Sequence, residues 1–206
     1  ALLIGLLIPF VVLYIIFLFD TKIHSRDDIE LHKSNLNILG EIPFFNLLES
    51  EKLFDDPTAR SIVSESFRML MSNTRYLFKD NNKSNVILVT SSIKGEGKTL
   101  SALNLSLSFA SLNKKVLLVG CDLRNPQIHK YLDEDKNQKG LVDFLVDNKA
   151  NWKEYLLNKF DKIPNHNILL SGSLPPNPLN LINNGNMEIF IDQAKKEFDY
   201  IIIDSA

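Results

Sequence analysis

The chain of 206 residues carries 23 lysine and arginine residues against 25 aspartate and glutamate residues, a formal net charge of −2. This near balance excludes a strongly basic protein, so no nucleic acid is expected as a partner and any charge-driven binding site must be local. A single cysteine, Cys121, excludes a disulfide framework within the chain and is typical of a reducing compartment.

The chain begins in an apolar run, in which every residue from Ala1 to Phe19 is apolar apart from Gly5 and Pro9. A helix over 1–19 would be about 28 Å long, close to the hydrocarbon thickness of a bilayer, so we predict a transmembrane helix there. A signal-peptide core would be shorter and would follow basic residues. Basic side chains come after the run instead, at Lys22, His24, Arg26 and Lys33. The positive-inside rule then predicts a cytoplasmic C-terminal side, and the non-Met start indicates a piece of a longer protein.

Residues 20–55 mix charges with short apolar segments, a glycine and a proline, which is typical of a juxtamembrane connector. Its basic residues could contact lipid headgroups, and a solvated linker fits the pattern equally well.

Asp56 and Pro57 form a helix-start signal, with aspartate as N-cap and proline at the first helical position. We therefore expect a helix over 56–80. Its apolar face is predicted to consist of Val63, Phe67, Leu70 and Leu77.

From residue 81 the pattern alternates between apolar strands and helices. Strands are predicted over 86–90, 115–120, 167–170 and 200–204, and helices over 98–112, 141–147 and 187–198. The strands are nearly continuous runs of Val, Ile and Leu, as in parallel sheets that are buried on both faces. The predicted fold class over 81–206 is therefore α/β, with a mostly parallel sheet covered by helices.

The segment "GEGKT" at 95–99 lies where a predicted strand gives way to a helix. Glycines let successive amide groups surround phosphate oxygens, Lys98 can reach the outer phosphates, and the Thr99 hydroxyl can bind Mg²⁺. The strict pattern has a glycine at Ser92, so the match is incomplete, and a turn with an exposed lysine is the alternative. The candidate nucleotide-binding residues are Gly95, Glu96, Gly97, Lys98, Thr99 and Leu100.

Two further strands end in aspartate: "VLLVGCDLRNP" contains Asp122 and "YIIIDSA" contains Asp204. The carboxyl ends of parallel strands form the ligand crevice of such sheets, so these carboxylates are expected beside the loop. There they could hold Mg²⁺ or accept a proton from an attacking hydroxyl. Each could alternatively be an N-cap or turn residue, and Arg124 could pair with phosphate or with a surface carboxylate.

At these residues the sequence resembles the bacterial tyrosine autokinases of capsule and exopolysaccharide export, relatives of the MinD/ParA ATPases. The segments "TSSIKGEGKT", "VLLVGCDLRNP" and "DYIIIDSA" are similar to the Walker A, Walker A′ and Walker B segments of that family. The segments "LGEIP", "SESFRMLMSNTRY" and "GSLPPNPLNLI" are similar to its junction with the polysaccharide co-polymerase part, its pre-domain helix and its G-x-x-P-P-N-P segment.

The resemblance implies a P-loop fold and transfer of the γ-phosphoryl group of ATP to tyrosines of neighbouring subunits. It assigns Lys98 to the phosphates, Thr99 and Asp204 to Mg²⁺, and Asp122 to the metal and the incoming hydroxyl. It also implies a ring of identical subunits, held by the helix that carries Glu65 and Arg68. The other implied partners are the inner membrane, the polysaccharide export machinery and a tyrosine phosphatase.

Two residues depart from the family pattern. Gly120 stands where the Walker A′ strand usually has an earlier aspartate, and Met71 stands at the last arginine of Glu-x-x-Arg-x-x-Arg. The five tyrosines are scattered, so the acceptor cluster is expected beyond Ala206. Two alternatives remain: a MinD/ParA-type ATPase that hydrolyses ATP as a positioning switch, and a non-catalytic polysaccharide co-polymerase scaffold.

Overall fold

The computed structural model of the protein describes residues 2–20, 29, 37–44, 53–78 and 83–206. The chain divides into two compact units, Ala1–Ile38 and Leu39–Ala206. In the first, helix α1 spans Leu2–Leu18 and contains Pro9. None of the helices in the described ranges combines the length and the apolar character that a membrane span requires. Most of the predicted connector over 20–55, including its basic residues, lies outside the described residues.

The second unit alternates strands and helices after one leading helix, and the predicted parallel α/β fold is confirmed. Its elements are α2 (Ile62–Tyr76), β1 (Asn85–Val89), α3 (Lys98–Ala110), β2 (Val116–Gly120), α4 (Ile128–Leu132), α5 (Leu141–Val146), a 3-10 helix (Trp152–Tyr155), β3 (His166–Leu169), α6 (Pro178–Ile182), α7 (Asn186–Ala194) and β4 (Tyr200–Asp204).

Helix α2 begins later than predicted, and the expected start at Asp56 and Pro57 is wrong. Ser61 is the N-cap, because its hydroxyl accepts a hydrogen bond from the Ser64 amide at 3.1 Å. Asp56 instead accepts hydrogen bonds from the amide and hydroxyl of Thr58, at 2.8 and 2.7 Å, and so closes a local turn. An aspartate before a proline can cap either a helix or a turn, and here the turn forms.

The sheet has the order β1-β4-β2-β3, and all three strand pairs are parallel. Strand β4, the last in the chain, therefore lies between the first two. In its register Asp204 is opposite both Val89 and Gly120. This order brings the ends of β1, β2 and β4 to the same point, where the loop after β1 also begins.

Alternate residues of the strands enter two separate hydrophobic cores. Leu118 and Ile202 pack with α3 on one face, whereas Leu117 and Ile201 pack with α5 and α7 on the other. Helix α3 is buried almost all round, because α2 packs on its outer side. At the edge strand β1 the second face is open, since Leu88 is 61% exposed.

A buried histidine ties the central helix to β3. His166 is fully buried, its Nε2 lies 2.7 Å from the Ser106 hydroxyl of α3, and its Nδ1 has no hydrogen-bond partner in the described part of the chain. The Phe160 ring covers it, with 5.5 Å between the ring centroids. Burial lowers the pKa of His166 from 6.5 to about 3, so the ring is neutral in the folded protein.

The pKa of His166 makes the stability of the fold pH-dependent. The unfolded chain binds a proton at this histidine below pH 6.5 and the folded chain does not, so the free energy of unfolding falls between pH 6.5 and 3. The slope from this group is at most about 1.4 kcal/mol per pH unit. We expect urea denaturation at pH 7.5, 6 and 5 to show a larger loss in wild type than in His166→Gln, in which His129, whose pKa is also lowered, still contributes. Equal pH slopes in the two proteins would contradict it.

Candidate functional site

The loop between β1 and α3 has the backbone conformation that phosphate binding needs. Gly95 and Gly97 have φ angles of 96° and 88°, which residues with side chains rarely adopt. Gly97 is also the N-cap of α3, so Lys98 is the first helical residue. In the described ranges, the amide groups of 95–98 donate no hydrogen bond to a protein acceptor. These amides can therefore bind an anion at the positive end of the helix.

Serine is tolerated at position 92, where the strict phosphate-loop pattern has glycine. Among described residues other than glycine, positive φ occurs at Asn113 and Asp133, so Ser92 does not need the conformation that favours glycine. The Ser92 amide is bonded within the loop, because the Glu96 carboxylate accepts it at 2.9 Å. The incomplete pattern is thus compatible with the phosphate-binding conformation.

Lys98 lies between the two strand-end carboxylates. Its Nζ is 2.8 Å from Oδ2 of Asp122 and 3.5 Å from Oδ1 of Asp204. Burial disfavours the charge of the lysine, but the two carboxylates outweigh burial and raise the pKa of Lys98. The cation is therefore held at the mouth of the phosphate loop by two partners from different strands.

Asp122 follows β2 and is held in its ionised form. Its Oδ1 accepts hydrogen bonds from the amides of Arg124, at 3.2 Å, and Asn125, at 2.9 Å, while its Oδ2 binds Lys98. Burial raises the pKa of this carboxyl, but Lys98 and the two amides together lower it below its usual value. Asp122 is therefore both an ionised carboxylate and the cap of its own turn.

Asp204 at the end of β4 is in a different state. Its side chain is only 1% exposed, and its Oδ1 has no hydrogen-bond partner within the described residues, since Lys98 at 3.5 Å is too distant for a good bond. Burial raises the pKa of Asp204, and the neighbouring Thr99 and Lys98 side chains only partly oppose the rise. A buried carboxylate oxygen without a hydrogen bond costs free energy, so this atom can bind a cation or a water molecule.

A pocket of about 1060 Å³ opens over the phosphate loop, Lys98 and Asp122, and Asp204 is not among the residues that line it. The predicted residues 95–100 line it, and Leu100 is at the same time largely buried. Sequence reasoning missed several parts of the wall, among them Gly40, residues 42–44, Gln127 and Tyr131. These residues lie far from Lys98 in the sequence, so no local pattern links them to the phosphate loop.

Gly120 lacks the carboxylate of the usual pattern, and the fold leaves little room for one. A Cβ atom at this position would lie 3.0 Å from the Ser171 amide nitrogen and 3.4 Å from Cδ1 of Ile128. The backbone after β3 thus approaches Gly120 closely. Asp122 and Asp204 are the carboxylates that the site retains.

Glu65 and Arg68, predicted to contact another subunit, contact each other and their own chain. Arg68 pairs with Glu65 and donates hydrogen bonds from Nη2 to the carbonyls of Pro57, at 2.7 Å, and Ala59, at 2.6 Å. Met71 is 7% exposed and packs in the core, which explains why an apolar residue is accepted where the pattern has arginine. The Glu65 side chain remains 58% exposed.

A glycine-rich loop, a lysine at a helix start and two strand-end carboxylates on a parallel sheet define a P-loop nucleotide-binding protein of the α/β class. The family model described as an AAA domain matches residues 84–206, and the chain belongs to this family.

Curated relatives are named as tyrosine kinases. The putative tyrosine-protein kinase CapB of Staphylococcus aureus is 29% identical over 146 residues, which are 71% of this chain and 62% of that protein. The tyrosine-protein kinase YwqD of Bacillus subtilis is 32% identical over 146 residues, which are 71% of this chain and 60% of that protein. The chain therefore spans about three fifths of the length of these relatives.

Solved kinase structures share the fold. The chimerical protein CapA2B2 has a TM-score of 0.74 at 28% identity, covering 88% of this chain and 75% of that one. The kinase domain of the Escherichia coli tyrosine kinase ETK has a TM-score of 0.72 at 22% identity, covering 88% and 72%. The resemblance to bacterial tyrosine autokinases is confirmed.

Proposed function

We propose that this chain contains the ATP-binding part of a protein-tyrosine autokinase that regulates the polymerisation and export of capsule or exopolysaccharide. The observation that carries the proposal is the position of Lys98, which lies between Asp122 and Asp204 at the mouth of a phosphate loop. Relatives named as tyrosine-protein kinases support the reaction type.

The residues of the site fit Mg²⁺ together with ATP. Oδ1 of Asp204, which has no hydrogen bond, is the atom that a cation or its bound water would contact. No group of three or more His, Cys, Asp and Glu side chains suited to a metal occurs in the described ranges. Mg²⁺ is commonly held by one or two carboxylates, waters and substrate phosphates, so Thr99, Asp204 and Asp122 suffice. The metal would neutralise phosphate charge.

The chain's own residues have distinct roles in phosphoryl transfer. The amides of 95–98 and the Lys98 ammonium bind the phosphates, which positions the γ-phosphoryl group. Asp122 is ionised and lines the pocket, so it can accept the proton of an incoming tyrosine hydroxyl. Asp204 is buried, which suits it to the metal rather than to the acceptor.

The wider context of the kinase is also a proposal. We place it at the bacterial inner membrane, anchored by the helix predicted over 1–19, with the second unit in the cytoplasm. Identical subunits form a ring through the exposed Glu65 side of α2 and phosphorylate each other. The subunits cycle between the ring and a dissociated state, and a tyrosine phosphatase removes the phosphates. Glu65→Ala should lower the mass of the assembled full-length protein measured by light scattering.

The proposal is tested by incubating the full-length protein with Mg-ATP and measuring phosphotyrosine and ADP. We expect phosphotyrosine in wild type and its loss in Lys98→Met, because the phosphates lose their buried cation. Lys195→Met makes the same substitution at an exposed position directly after α7, and this variant should retain the activity. ADP release without phosphotyrosine would indicate a MinD/ParA-type switch instead. Nucleotide binding with neither product would indicate a scaffold.

A further inference from the structure

The side chain of Glu96 folds back onto the start of its own loop. Its Oε2 atom accepts two backbone hydrogen bonds, from the Ser92 amide at 2.9 Å and from the Ile93 amide at 3.2 Å. On the same turn, the Ser91 hydroxyl donates to the Ile93 carbonyl at 3.0 Å. Side chains therefore hold both the amides and the carbonyl of this turn.

The amides of the phosphate loop consequently fall into two sets. Those of Ser92 and Ile93 are bonded to Glu96, whereas those of 95–98 have no protein acceptor in the described part of the chain. Gly95 and Gly97, both with positive φ, lie in the second set. Tying the first set reduces the number of loop conformations before an anion binds, and this lowers the entropy cost of binding.

The charge of Glu96 works against the binding of ATP. A carboxylate two residues from Lys98 repels a polyanion, although solvent screens the repulsion at this exposed position. Any benefit of the side chain to nucleotide binding must therefore come from its two hydrogen bonds. We propose that Glu96 is a positioning residue that holds the phosphate loop in its ATP-binding conformation, an inference that rests on ATP being the ligand of the proposed function.

Two substitutions separate the hydrogen bonds from the charge. Both bonds end on one oxygen, so the single side-chain oxygen of Glu96→Gln can accept both, whereas Glu96→Ala accepts neither. Titration of the full-length protein with Mg-ATP should show about tenfold weaker binding for Glu96→Ala. Glu96→Gln should bind ATP up to about threefold more tightly than wild type, because the repulsion is removed.

Kinetics and a control variant complete the test. Glu96→Ala should raise KM for ATP about tenfold and change kcat by less than about threefold, since the loop acts on binding. Glu188→Ala removes the same charge from an exposed position on α7 and should not weaken ATP binding.

Binding and transfer are measured separately, so the two proposals can fail separately. ATP binding by wild type without phosphotyrosine would overturn the kinase and leave Glu96 fully tested. Wild-type affinity in Glu96→Ala, equally weak binding in Glu96→Gln, or an equal loss in Glu188→Ala would overturn the role of Glu96. If wild type does not bind ATP, both proposals are wrong.

Discussion

Replacing Asp204 by asparagine is expected to decrease phosphotyrosine formation at least about 100-fold while making the nucleotide-free protein more stable. One oxygen of this buried carboxylate has no hydrogen bond and only a 3.5 Å ion pair with Lys98, and burial raises the pKa, so the fold disfavours its ionised form. A neutral amide removes this penalty, and we expect a gain of about 1 kcal/mol at pH 7 in urea denaturation.

The matched variant is Asp122→Asn, which should lose both activity and stability. Lys98 and two amides lower the pKa of Asp122, so its ionised form stabilises the fold. The two variants should also differ in their pH dependence. The raised pKa of Asp204 lies above the unfolded value of 3.8, so the advantage of Asp204→Asn should be smallest near pH 4 and larger at pH 7. Destabilisation by both variants would contradict the assignment of strain to Asp204.

Replacing Gly140 by alanine is expected to destabilise the fold by about 3 kcal/mol or more. A Cβ atom there would overlap the Leu170 carbonyl oxygen and lie 2.6 Å from the Gly172 amide nitrogen. The start of α5 docks at this point, because the Leu141 amide donates to the Leu170 carbonyl at 2.8 Å. Both partners of the overlap are backbone, so neither can move without breaking this contact.

The effect of Gly140→Ala is measured by urea denaturation, with circular dichroism as the signal of unfolding. Ser173→Ala is the control, since Ser173 is exposed and close in sequence to the docking point, with only a 3.3 Å hydrogen bond to the Asn137 carbonyl. We expect its urea midpoint to match wild type. A wild-type midpoint in Gly140→Ala would show that the two backbones can separate at little cost.

Local patterns were sufficient for the elements that carry the site. Strand β4 has the predicted bounds, β1 to β3 are shifted by one residue at one or both ends, and α3 begins at Lys98 as predicted. A long apolar run predicts a buried strand, and glycines before a lysine predict the conformation of a phosphate loop. Both patterns consist of neighbouring residues, so they are visible in the sequence.

Short elements and the start of α2 were not predicted. Helices α4 and α6 have five residues each, too few for a helical period to be visible. Helix α2 begins after Ser61, and Asp56, the predicted N-cap, closes a turn instead. The 2.5 Å ion pair between Asp56 and Lys162, 106 positions away, is a tertiary contact that no local pattern contains.

The amino-acid sequence by itself determined which residues form the phosphate loop and which strands end in a carboxylate, because these features depend on a few consecutive residues. Only the tertiary structure decided that β4 lies between β1 and β2, and hence that Lys98 lies between Asp122 and Asp204. The same strand order buries Asp204, whereas the amide partners of Asp122 come from its own turn. Two aspartates with one sequence signature therefore have opposite pKa shifts, since burial and charge are properties of the assembled sheet.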